Sequence, residues 1–384
     1  MSFSPPLSLY VHIPWCVKKC PYCDFNSHEK KADYDEQTYV DTLLLDLEHA
    51  RTQVHQDQLT SIFFGGGTPS LFSAQSIGKI ITRAGELFDI QGAEITLEAN
   101  PGTFEQEKFA AFNDAAVNRL SIGIQSFDSN FLESLGRIHD GEQSFIAVDT
   151  AKQAGFDNIN IDLMYGLPEQ SIKQAMDDIN IACEQNVNHV SHYQLTIEAN
   201  TYFDIHTPVL PDIDTLWDMQ TECQAILNTH GYQHYEVSAY AKPGKQSRHN
   251  LNYWLFGDYI GIGAGAHGKF SHSHISQPQT QTITRQWKRR QPQDYIKNFS
   301  DNYSISGQKI LTDDEVIFDF LLNALRLKKG CPIDVFTSHT HLSLERLKKA
   351  CKNIDPALLL IDEQTIRTSD KGFLFLNEVL EQLM

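Results

Sequence analysis

The sequence predicts an α/β protein, a partial (β/α)6 barrel followed by a small C-terminal α+β domain of winged-helix type. The first observation is that apolar, β-rich runs alternate with helical patterns from the start of the chain to about residue 195. Such alternation favours parallel strands joined by crossover helices. The second is that helical patterns dominate the tail from residue 286, around one short strand pair. The six barrel strands are expected at 7–13, 59–64, 94–98, 119–124, 158–163 and 189–195.

Helical patterns fill the intervals between these strands. They are expected at 35–51, 74–88, 105–115, 141–154 and 172–185, and a further helix and strand at 214–229 and 233–238. In barrels of this kind the chemistry is found at the carboxyl ends of the strands. Polar residues at those ends are therefore candidates for a functional site.

A polar segment at 271–285 is rich in Ser, His, Gln and Thr and is predicted to be a linker. It follows a glycine-rich stretch that could line the mouth of the barrel. The expected division of the chain is a core barrel at 1–240, an extension and linker at 241–285, and the C-terminal domain at 286–384.

The C-terminal domain begins with a clear helix signal. Thr312 and Glu315 form a capping-box pattern before an apolar run, and Gly330 is placed to end that helix. A second helix is expected at 342–351, a strand pair at 358–367 and a last helix up to residue 383. This pattern indicates a winged-helix-like domain.

The composition limits the classes of partner. The chain has 31 Lys and Arg against 49 Asp and Glu, a formal net charge of −18. That charge would repel a polyphosphate backbone, so no nucleic-acid partner is expected. No run of about 18 apolar residues occurs, so no membrane span is expected. The N-terminus lacks the basic and apolar regions of a signal peptide, which favours a cytoplasmic location.

Three of the seven cysteines lie close together, directly after the first expected strand. Cys16, Cys20 and Cys23 have gaps of three and two residues, so each thiolate could hold one iron of a [4Fe–4S] cluster. The fourth iron would keep an open site that a bidentate ligand such as S-adenosylmethionine (SAM) can fill. The alternative is a zinc site completed by His12 or His28. The other cysteines are expected to be buried small hydrophobic residues: Cys183, Cys223, Cys331 and Cys351.

The cysteine spacing belongs to a longer pattern, in which Tyr10-Val-His-Ile-Pro-Trp-Cys16 leads into Cys20 and Cys23. In this pattern the sequence resembles the radical SAM proteins. More narrowly, it resembles the oxygen-independent coproporphyrinogen III oxidase family and, within it, the haem chaperone branch. The resemblance extends from Tyr10 into the C-terminal domain. It implies a radical SAM barrel that binds a [4Fe–4S] cluster and SAM, with homolysis of SAM to a hydrogen-abstracting radical.

The resemblance also implies a set of SAM-binding residues. Tyr22, the aromatic residue between the last two cysteines, would lie beside the adenine, and Arg137 would pair with the SAM carboxylate. For Arg137 the alternative is a helix-surface ion pair, and for the glycine triplet at 65–67 it is a plain turn. The implied set is Tyr10, Tyr22, Gly66, Gly67, Thr68, Glu98, Gln125, Arg137 and Asp162.

Three features favour the haem chaperone branch over the oxidases. The oxidases carry a further cysteine at the position of Phe25. They also have a longer arm before the residue equivalent to Tyr10, which nine residues precede here. The third feature is the segment 249–254, His-Asn-Leu-Asn-Tyr-Trp, which matches the His-Asn-x-x-Tyr-Trp motif of the chaperone branch. That motif is linked to haem binding in the branch.

The residues of this segment suit haem physically. The imidazole of His249 can ligate haem iron, and Tyr253 and Trp254 offer flat apolar faces to a porphyrin. The alternative is a packed aromatic corner in which His249 bonds to the backbone. His267, in the glycine-rich stretch, is the ligand of second choice.

Two functions follow as hypotheses. The first is a haem chaperone that binds haem and hands it to an acceptor haem protein, with the cluster and SAM in a structural or regulatory role. The second is an enzyme that oxidatively decarboxylates the propionates of coproporphyrinogen III, and radical modification of another substrate is a third. A reductase or flavodoxin-type protein would donate electrons. No residue is assigned a catalytic role, and cleavage of SAM in turnover is left open.

Overall fold

The computed structural model of the protein describes residues 4–30, 35–102, 106–274 and 277–383. Its strands form a twelve-stranded, a three-stranded and a two-stranded sheet. In chain order the strands are β1 (Leu7–Ile13), β2 (Trp15–Cys16), β3 (His28–Glu29), β4 (Leu59–Gly66), β5 (Glu94–Ala99), β6 (Arg119–Gln125), β7 (Ile159–Tyr165), β8 (His189–Gln194), β9 (Gln233–Glu236), β10 (Ala239–Ala241), β11 (Asp258–Ile262), β12 (His267–His274), β13 (Gln277–Lys288), β14 (Ile305–Ile310), β15 (Cys331–Pro332), β16 (Leu359–Ile361) and β17 (Thr365–Thr368).

The large sheet contains all six strands that the sequence predicts for the barrel. β1, β4, β5, β6, β7 and β8 lie side by side in this order and pair in parallel. β11 adds a further parallel strand on the other side of β1, and antiparallel strands extend both edges of the sheet. The α/β prediction is confirmed, and the carboxyl ends of the parallel strands lie at one edge.

Helices connect the strands, and many begin at a capping residue that the sequence supplies. Their bounds are α1 (Glu36–Arg51), α2 (Ala74–Leu87), α3 (Gln106–Asp114), α4 (Ser129–Ser134), α5 (Gly141–Gln153), α6 (Ile172–Glu184), α7 (Tyr202–Ile205), α8 (Ile213–Thr229), α9 (Arg248–Trp254), α10 (Pro292–Lys297), α11 (Phe299–Asn302), α12 (Asp313–Ala324), α13 (Ile333–Thr340), α14 (Leu344–Ala350), α15 (Asp370–Leu374) and α16 (Leu376–Glu381), with a short 3₁₀ helix at Pro69–Leu71. The Asp35 carboxylate accepts from the first turn of α1, and Ser171 and Gln174 form a capping box on α6. Glu105, the predicted start of α3, lies outside the described residues. None of the described helices has the length and apolarity needed to cross a membrane.

The core of the barrel consists of strands that are buried on both faces. Six of the seven residues of β1 and every residue of β6 are buried. Strands covered on both sides carry nearly continuous apolar runs, because neither face meets water. Helix side chains such as Phe109 and Phe112 of α3 complete this core. The strand ends are thereby held by a tightly packed interior.

The segment 271–285, predicted to be a linker, forms strands at its described residues. β12 and β13 pair in antiparallel register, and β13 also pairs with β14. The polar composition reflects solvent-facing strand positions, since buried Ile283 lies between the less buried Thr282 and Thr284. The linker prediction was therefore wrong, while the domain boundaries at 240 and 285 stay predictions.

The C-terminal region has the element order of a winged helix. α12 is followed by β15, α13, α14 and the hairpin of β16 and β17, and these three strands form an antiparallel sheet. The predicted capping box of Thr312 and Glu315 is present at α12, but the helix ends at Ala324 and not at Gly330 as predicted. Phe256 and Ile283, which precede this region in the chain, belong to the same apolar core. The winged-helix-like region is thus packed against the strands that extend the barrel.

A buried ion pair joins α1 to the end of β13. The Lys288 ammonium lies 2.5 Å from the Asp46 carboxylate, and both side chains are almost fully buried. The Tyr295 hydroxyl donates to the second carboxylate oxygen at 2.7 Å. Burial raises the pKa of Asp46, since the charged form is desolvated. The carboxylate stays buried because each of its oxygens has a partner.

Replacement of Lys288 should destabilise the protein, because it leaves a buried carboxylate without its cation. Lys288→Met is expected to lower the free energy of unfolding by about 3 kcal/mol, measured by urea denaturation. The control is Lys173→Met, which removes an exposed pair with Asp177 and should change stability by less than about 1 kcal/mol. Equal losses in the two variants would show that the buried pair does not stabilise the fold.

Candidate functional site

A cavity of about 150 Å³ opens where the carboxyl ends of the parallel strands meet the loop between β2 and β3. We call it the cysteine cavity, because Cys16, Cys20 and Cys23 all line it. Tyr10 is the one residue of the implied SAM set that lies outside it. The cavity is lined by the others, Tyr22, Gly66, Gly67, Thr68, Glu98, Gln125, Arg137 and Asp162. The structure brings these residues together, and their individual roles toward SAM stay predictions.

Backbone contacts and a lysine hold the cysteine loop. The N–H of Cys23 donates to the carbonyl of Cys20 at 3.2 Å, and the Lys19 ammonium donates to the carbonyl of Phe25 at 3.2 Å. The thiols of Cys16, Cys20 and Cys23 are free and half-buried. Three thiols on one cavity, without a fourth among the described lining residues, suit a cluster with one open iron. The remaining cysteines are buried, as predicted: Cys183, Cys223, Cys331 and Cys351.

The zinc alternative loses one of its two candidate histidines. The His12 ring is buried and bonds on both sides, through Nε2 to the carbonyl of Asn26 at 2.9 Å and through Nδ1 to the Tyr10 hydroxyl at 3.0 Å. Burial lowers the pKa of His12 to about 4. Within the described ranges no three metal-ligating side chains converge on a single ion. Only His28, whose Nε2 has no hydrogen-bond partner in the described part of the chain, is left for that alternative.

Arg137 faces the cysteine loop and is half-buried. Its guanidinium donates to the carbonyl of Gly123 at 2.7 Å and to Asn100 Oδ1 at 2.6 Å, and it lies 3.6 Å from the Cys20 sulfur. Among the described residues it forms no ion pair, so the helix-surface interpretation is wrong. The guanidinium therefore holds a positive charge beside the Cys20 sulfur.

Two carboxyl groups, Glu98 and Asp162, face the floor of the cysteine cavity. The N–H of Gly66 donates to Glu98 Oε2 at 3.1 Å. Asn160 donates to one oxygen of Asp162 at 2.8 Å, and Ser121 donates to the other at 3.3 Å. Burial and the nearby Asp162 raise the pKa of Glu98 to about 8, and burial also raises the pKa of Asp162. Both groups are poised to accept hydrogen bonds from ligand hydroxyls.

The glycine triplet is explained by close packing of two strand ends. At Gly66, φ is +116°, and an added Cβ would lie 2.5 Å from the His12 ring. At Gly67 it would lie 2.6 Å from the carbonyl oxygen of Trp15. The N–H of Gly67 donates to the carbonyl of Ile13 at 2.8 Å. These glycines therefore let the end of β4 lie directly against the segment that carries Cys16.

Sequence reasoning missed Asn100 and Tyr193, which also line the cysteine cavity. Asn100 donates to the Thr68 hydroxyl at 2.9 Å while it accepts from the Arg137 guanidinium. The Tyr193 hydroxyl donates to Gln125 Oε1 at 2.8 Å, and Gln125 has a left-handed backbone with φ of +73°. The rule that strand ends carry the chemistry could have found both, since Asn100 follows β5 and Tyr193 lies near the end of β8.

A second, wider cavity of about 450 Å³ adjoins the first. We call it the aromatic cavity, because Tyr10, Tyr253 and Tyr259 line it, together with His267 and Arg290. Its other lining residues include three that it shares with the cysteine cavity: Phe25, Gly66 and Glu98. The backbone and the carboxyl group at this boundary therefore form a wall common to both cavities.

His249 lies behind the aromatic cavity and does not line it. It is 2% exposed, and its ring stacks on Phe63 with centroids 4.8 Å apart. Nδ1 hydrogen-bonds with the Ser61 hydroxyl at 2.9 Å and Nε2 with the Tyr253 hydroxyl at 3.1 Å. The ring thus bonds to side chains and not to the backbone. Ligation of haem by His249 stays a prediction, and it would require one of these bonds to break.

Comparison with known proteins gives consistent results. The sequence matches the radical SAM superfamily over residues 10–180. The haem chaperone HemW of Haemophilus influenzae is 45% identical over 98% of this chain and 97% of its own length, and HemW of Escherichia coli is 43% identical over 98% of both. The solved structure of the radical SAM enzyme HemN, the coproporphyrinogen III oxidase of Escherichia coli, superposes with a TM-score of 0.81 at 22% identity, over 99% of this chain and 90% of that chain. The radical SAM fold is confirmed.

Removal of one cavity cysteine should abolish cluster binding. Cys20→Ser is expected to lose bound iron and the brown absorbance of a thiolate-ligated cluster after anaerobic reconstitution, because a hydroxyl replaces one iron ligand. Cys183→Ser, at a buried position away from the cavity, is the control and should reconstitute normally. A normal cluster in Cys20→Ser would contradict the ligand assignment.

The raised pKa of Glu98 predicts a pH-dependent stability of the cofactor-free protein. The folded carboxyl binds its proton up to about pH 8, whereas the unfolded one releases it near 4.5. Stability from this group is therefore full below pH 4.5 and is lost as pH rises to 8, by up to about 1.4 kcal/mol per pH unit. Glu98→Gln should remove this loss, because its amide does not titrate. The free energies of unfolding are measured by urea denaturation between about pH 5 and pH 8. The exposed control Glu133→Gln should keep the wild-type slope, and equal slopes in all three proteins would refute the assignment.

Proposed function

Because this chain belongs to the HemW family of radical SAM proteins, we propose that it is a haem chaperone, which binds haem and transfers it to an acceptor protein. The structural observation that carries the proposal is the pair of adjoining cavities. One offers three thiols and polar strand ends, and the other offers tyrosine faces, an imidazole and a guanidinium. The first suits a cluster with SAM, and the second suits a flat, largely apolar anion.

The cysteine cavity contains the residues that would hold the cluster and SAM. Cys16, Cys20 and Cys23 would bind three irons, and Arg137 stabilises the loop beside Cys20. When bound, the cluster and SAM supply one-electron chemistry. The carboxyl of Glu98 and its neighbours at the strand ends offer acceptors to the polar groups of SAM. The protein thus positions the cofactor and shields it from water.

The aromatic cavity would hold the cargo. Tyr253 and Tyr259 meet edge to face with centroids 4.6 Å apart, which gives the wall apolar surfaces of fixed orientation. The common wall at Gly66 and Glu98 keeps cargo and cofactor separate while placing them side by side. Haem bound in this cavity must be released again to an acceptor protein. An accessible site therefore suits the function better than a closed one.

The oxidase hypothesis is less well supported. Where the oxidases carry a further cysteine, this chain has Phe25, whose side chain is 61% exposed and lines both cavities. An apolar ring at this position cannot ligate iron or relay a proton. The structural similarity to HemN shows a common fold and does not indicate a common substrate. An acceptor haem protein and a reductase or flavodoxin-type electron donor are part of the proposal as partners.

The proposal is tested by haem binding to the anaerobically reconstituted protein. We expect saturable binding of one haem per chain, followed by the Soret band, and transfer of that haem to a haem-free acceptor protein. Binding should persist in the surface variant Lys173→Met, which controls for nonspecific adsorption. Absence of saturable binding, or consumption of coproporphyrinogen III in the presence of SAM and a strong reductant, would overturn the chaperone assignment.

A further inference from the structure

His267 is the exposed imidazole of the aromatic cavity. It begins β12, where its backbone pairs with Trp287 of β13, and the two rings stack loosely with centroids 6.4 Å apart. The side chain is exposed and lines the cavity. Within the described parts of the chain its ring nitrogens form no hydrogen bond. A neutral imidazole in this state has a lone pair free to bind a metal.

Two other histidines near this cavity differ in this respect. His12 and His249 are both buried, and each has both ring nitrogens engaged in hydrogen bonds. Ligation by either would break a bond and leave a buried polar group unsatisfied, at a cost of about 1–3 kcal/mol. Ligation by His267 has no such cost. Of these three rings, His267 is therefore the one prepared to bind iron.

Arg290 supplies a free cation at the same cavity. Its side chain is exposed and lines the cavity, and its guanidinium forms no ion pair or hydrogen bond within the described ranges. Its backbone is fixed, because Asn26 donates to the Arg290 carbonyl at 2.8 Å. The guanidinium of the nearby Arg285 already has an anionic partner, because it forms an ion pair with Asp319 at 2.9 Å. In a chain of net charge −18, an unpaired guanidinium at a cavity mouth is suited to an anionic group.

Tyr253 connects this cavity to His249, which lies in the same helix, α9. The Tyr253 ring lines the aromatic cavity, while its hydroxyl is held from behind by His249 Nε2 at 3.1 Å. Nδ1 of the same imidazole bonds to Ser61 of β4 at 2.9 Å. The imidazole thus ties the tyrosine wall to the central sheet, which fixes the orientation of the ring that a planar ligand would contact.

We propose that haem binds in the aromatic cavity with its iron ligated by His267 and a propionate paired with Arg290, and that His249 is a positioning residue that holds Tyr253. This inference rests on the proposed function and deepens it by naming the cargo site and the iron ligand. It also reverses the order in which the sequence ranks the two histidines, since the sequence favours His249 as the ligand and gives His267 as the second choice. Ligation would add a nitrogen–iron bond and would change no oxidation state.

The first test follows the ligand by spectroscopy. His267→Ala is expected to weaken haem binding at least about tenfold and to displace the Soret band, because the axial nitrogen is lost. Added free imidazole should restore the wild-type band. The matched control is His55→Ala, an exposed histidine away from the cavity, which should bind as the wild type does. Iron content and thermal unfolding of each variant establish that the fold is retained.

His249 is tested in the same titration. His249→Gln and Tyr253→Phe should lower the affinity for haem while the Soret band stays at the wild-type position, because the wall loosens and the ligand remains. A band that is displaced in His249→Gln and unchanged in His267→Ala would reverse the assignment. If the wild-type protein itself binds no haem, the proposed function fails, and this inference fails with it. If it binds haem but is indifferent to His267, only this inference fails.

The role of Arg290 is tested with modified haem. Arg290→Ala should lower the affinity about twofold to fivefold, whereas the neighbouring Arg289→Ala, which does not line the cavity, should not. Haem dimethyl ester, whose propionates are uncharged, should bind equally to the wild type and to Arg290→Ala. A loss that persists with the ester would show that Arg290 acts on the fold and not on a propionate.

Discussion

The site depends on two strand ends that approach each other more closely than any side chain would allow. Gly66 turns with a positive φ against the His12 ring, and Gly67 lies against the carbonyl of Trp15, where an added Cβ would sit 2.6 Å from the oxygen. The end of β4 is thereby held against the segment that leads into the cysteine loop. The same backbone donates an N–H to Glu98 and forms the wall common to both cavities. A larger residue at Gly67 would collide with the backbone that leads into the cysteine loop, and one at Gly66 would collide with the His12 ring, so either change would disturb the wall between the two cavities.

Two buried ion pairs hold the strands on the other side of the aromatic cavity in place. Lys269 and Asp258 lie 2.8 Å apart and are each 1% exposed, and they join β12 to β11. Lys288 and Asp46 join the end of β13 to α1. Buried pairs are weak evidence for stability, because desolvation opposes the attraction. They do make a shift in register unfavourable, since a displaced strand would leave a charge without its partner. The hairpin that carries His267 at its start is thus fixed relative to the barrel by charge as well as by backbone pairing.

The sequence predicts the framework well because strand and helix periods are local properties. Alternating patterns give the six parallel strands, and capping residues such as Thr312 give helix starts to within a residue. Polar composition misleads at 271–285, since solvent-facing strands and linkers use the same residues. The neighbours of a side chain are set by contacts distant in sequence, so Asn100 was missed. For the same reason, the bonds of His249 to Ser61 and Tyr253 could not be foreseen. Motifs identify the residues of a site, but they do not show which side-chain atoms already have hydrogen-bond partners and which can still bind a ligand.

In the proposed chaperone, the common wall gives a physical reason for a haem carrier to keep a SAM site. Glu98 lies half-buried between the two cavities, and its pKa is raised to about 8 by desolvation and by Asp162, so near neutral pH it is easily moved between its two charge states. A ligand in the cysteine cavity that donates a hydrogen bond to this carboxyl favours the ionised form, which places a negative charge at the edge of the aromatic cavity. An anionic porphyrin there would be repelled by that charge and would in turn favour the neutral acid. Such coupling is reciprocal, because each ligand changes the affinity for the other by the same factor. In the proposed chaperone, a single carboxyl in a shared wall would therefore make the affinity for haem depend on the occupancy of the neighbouring cavity.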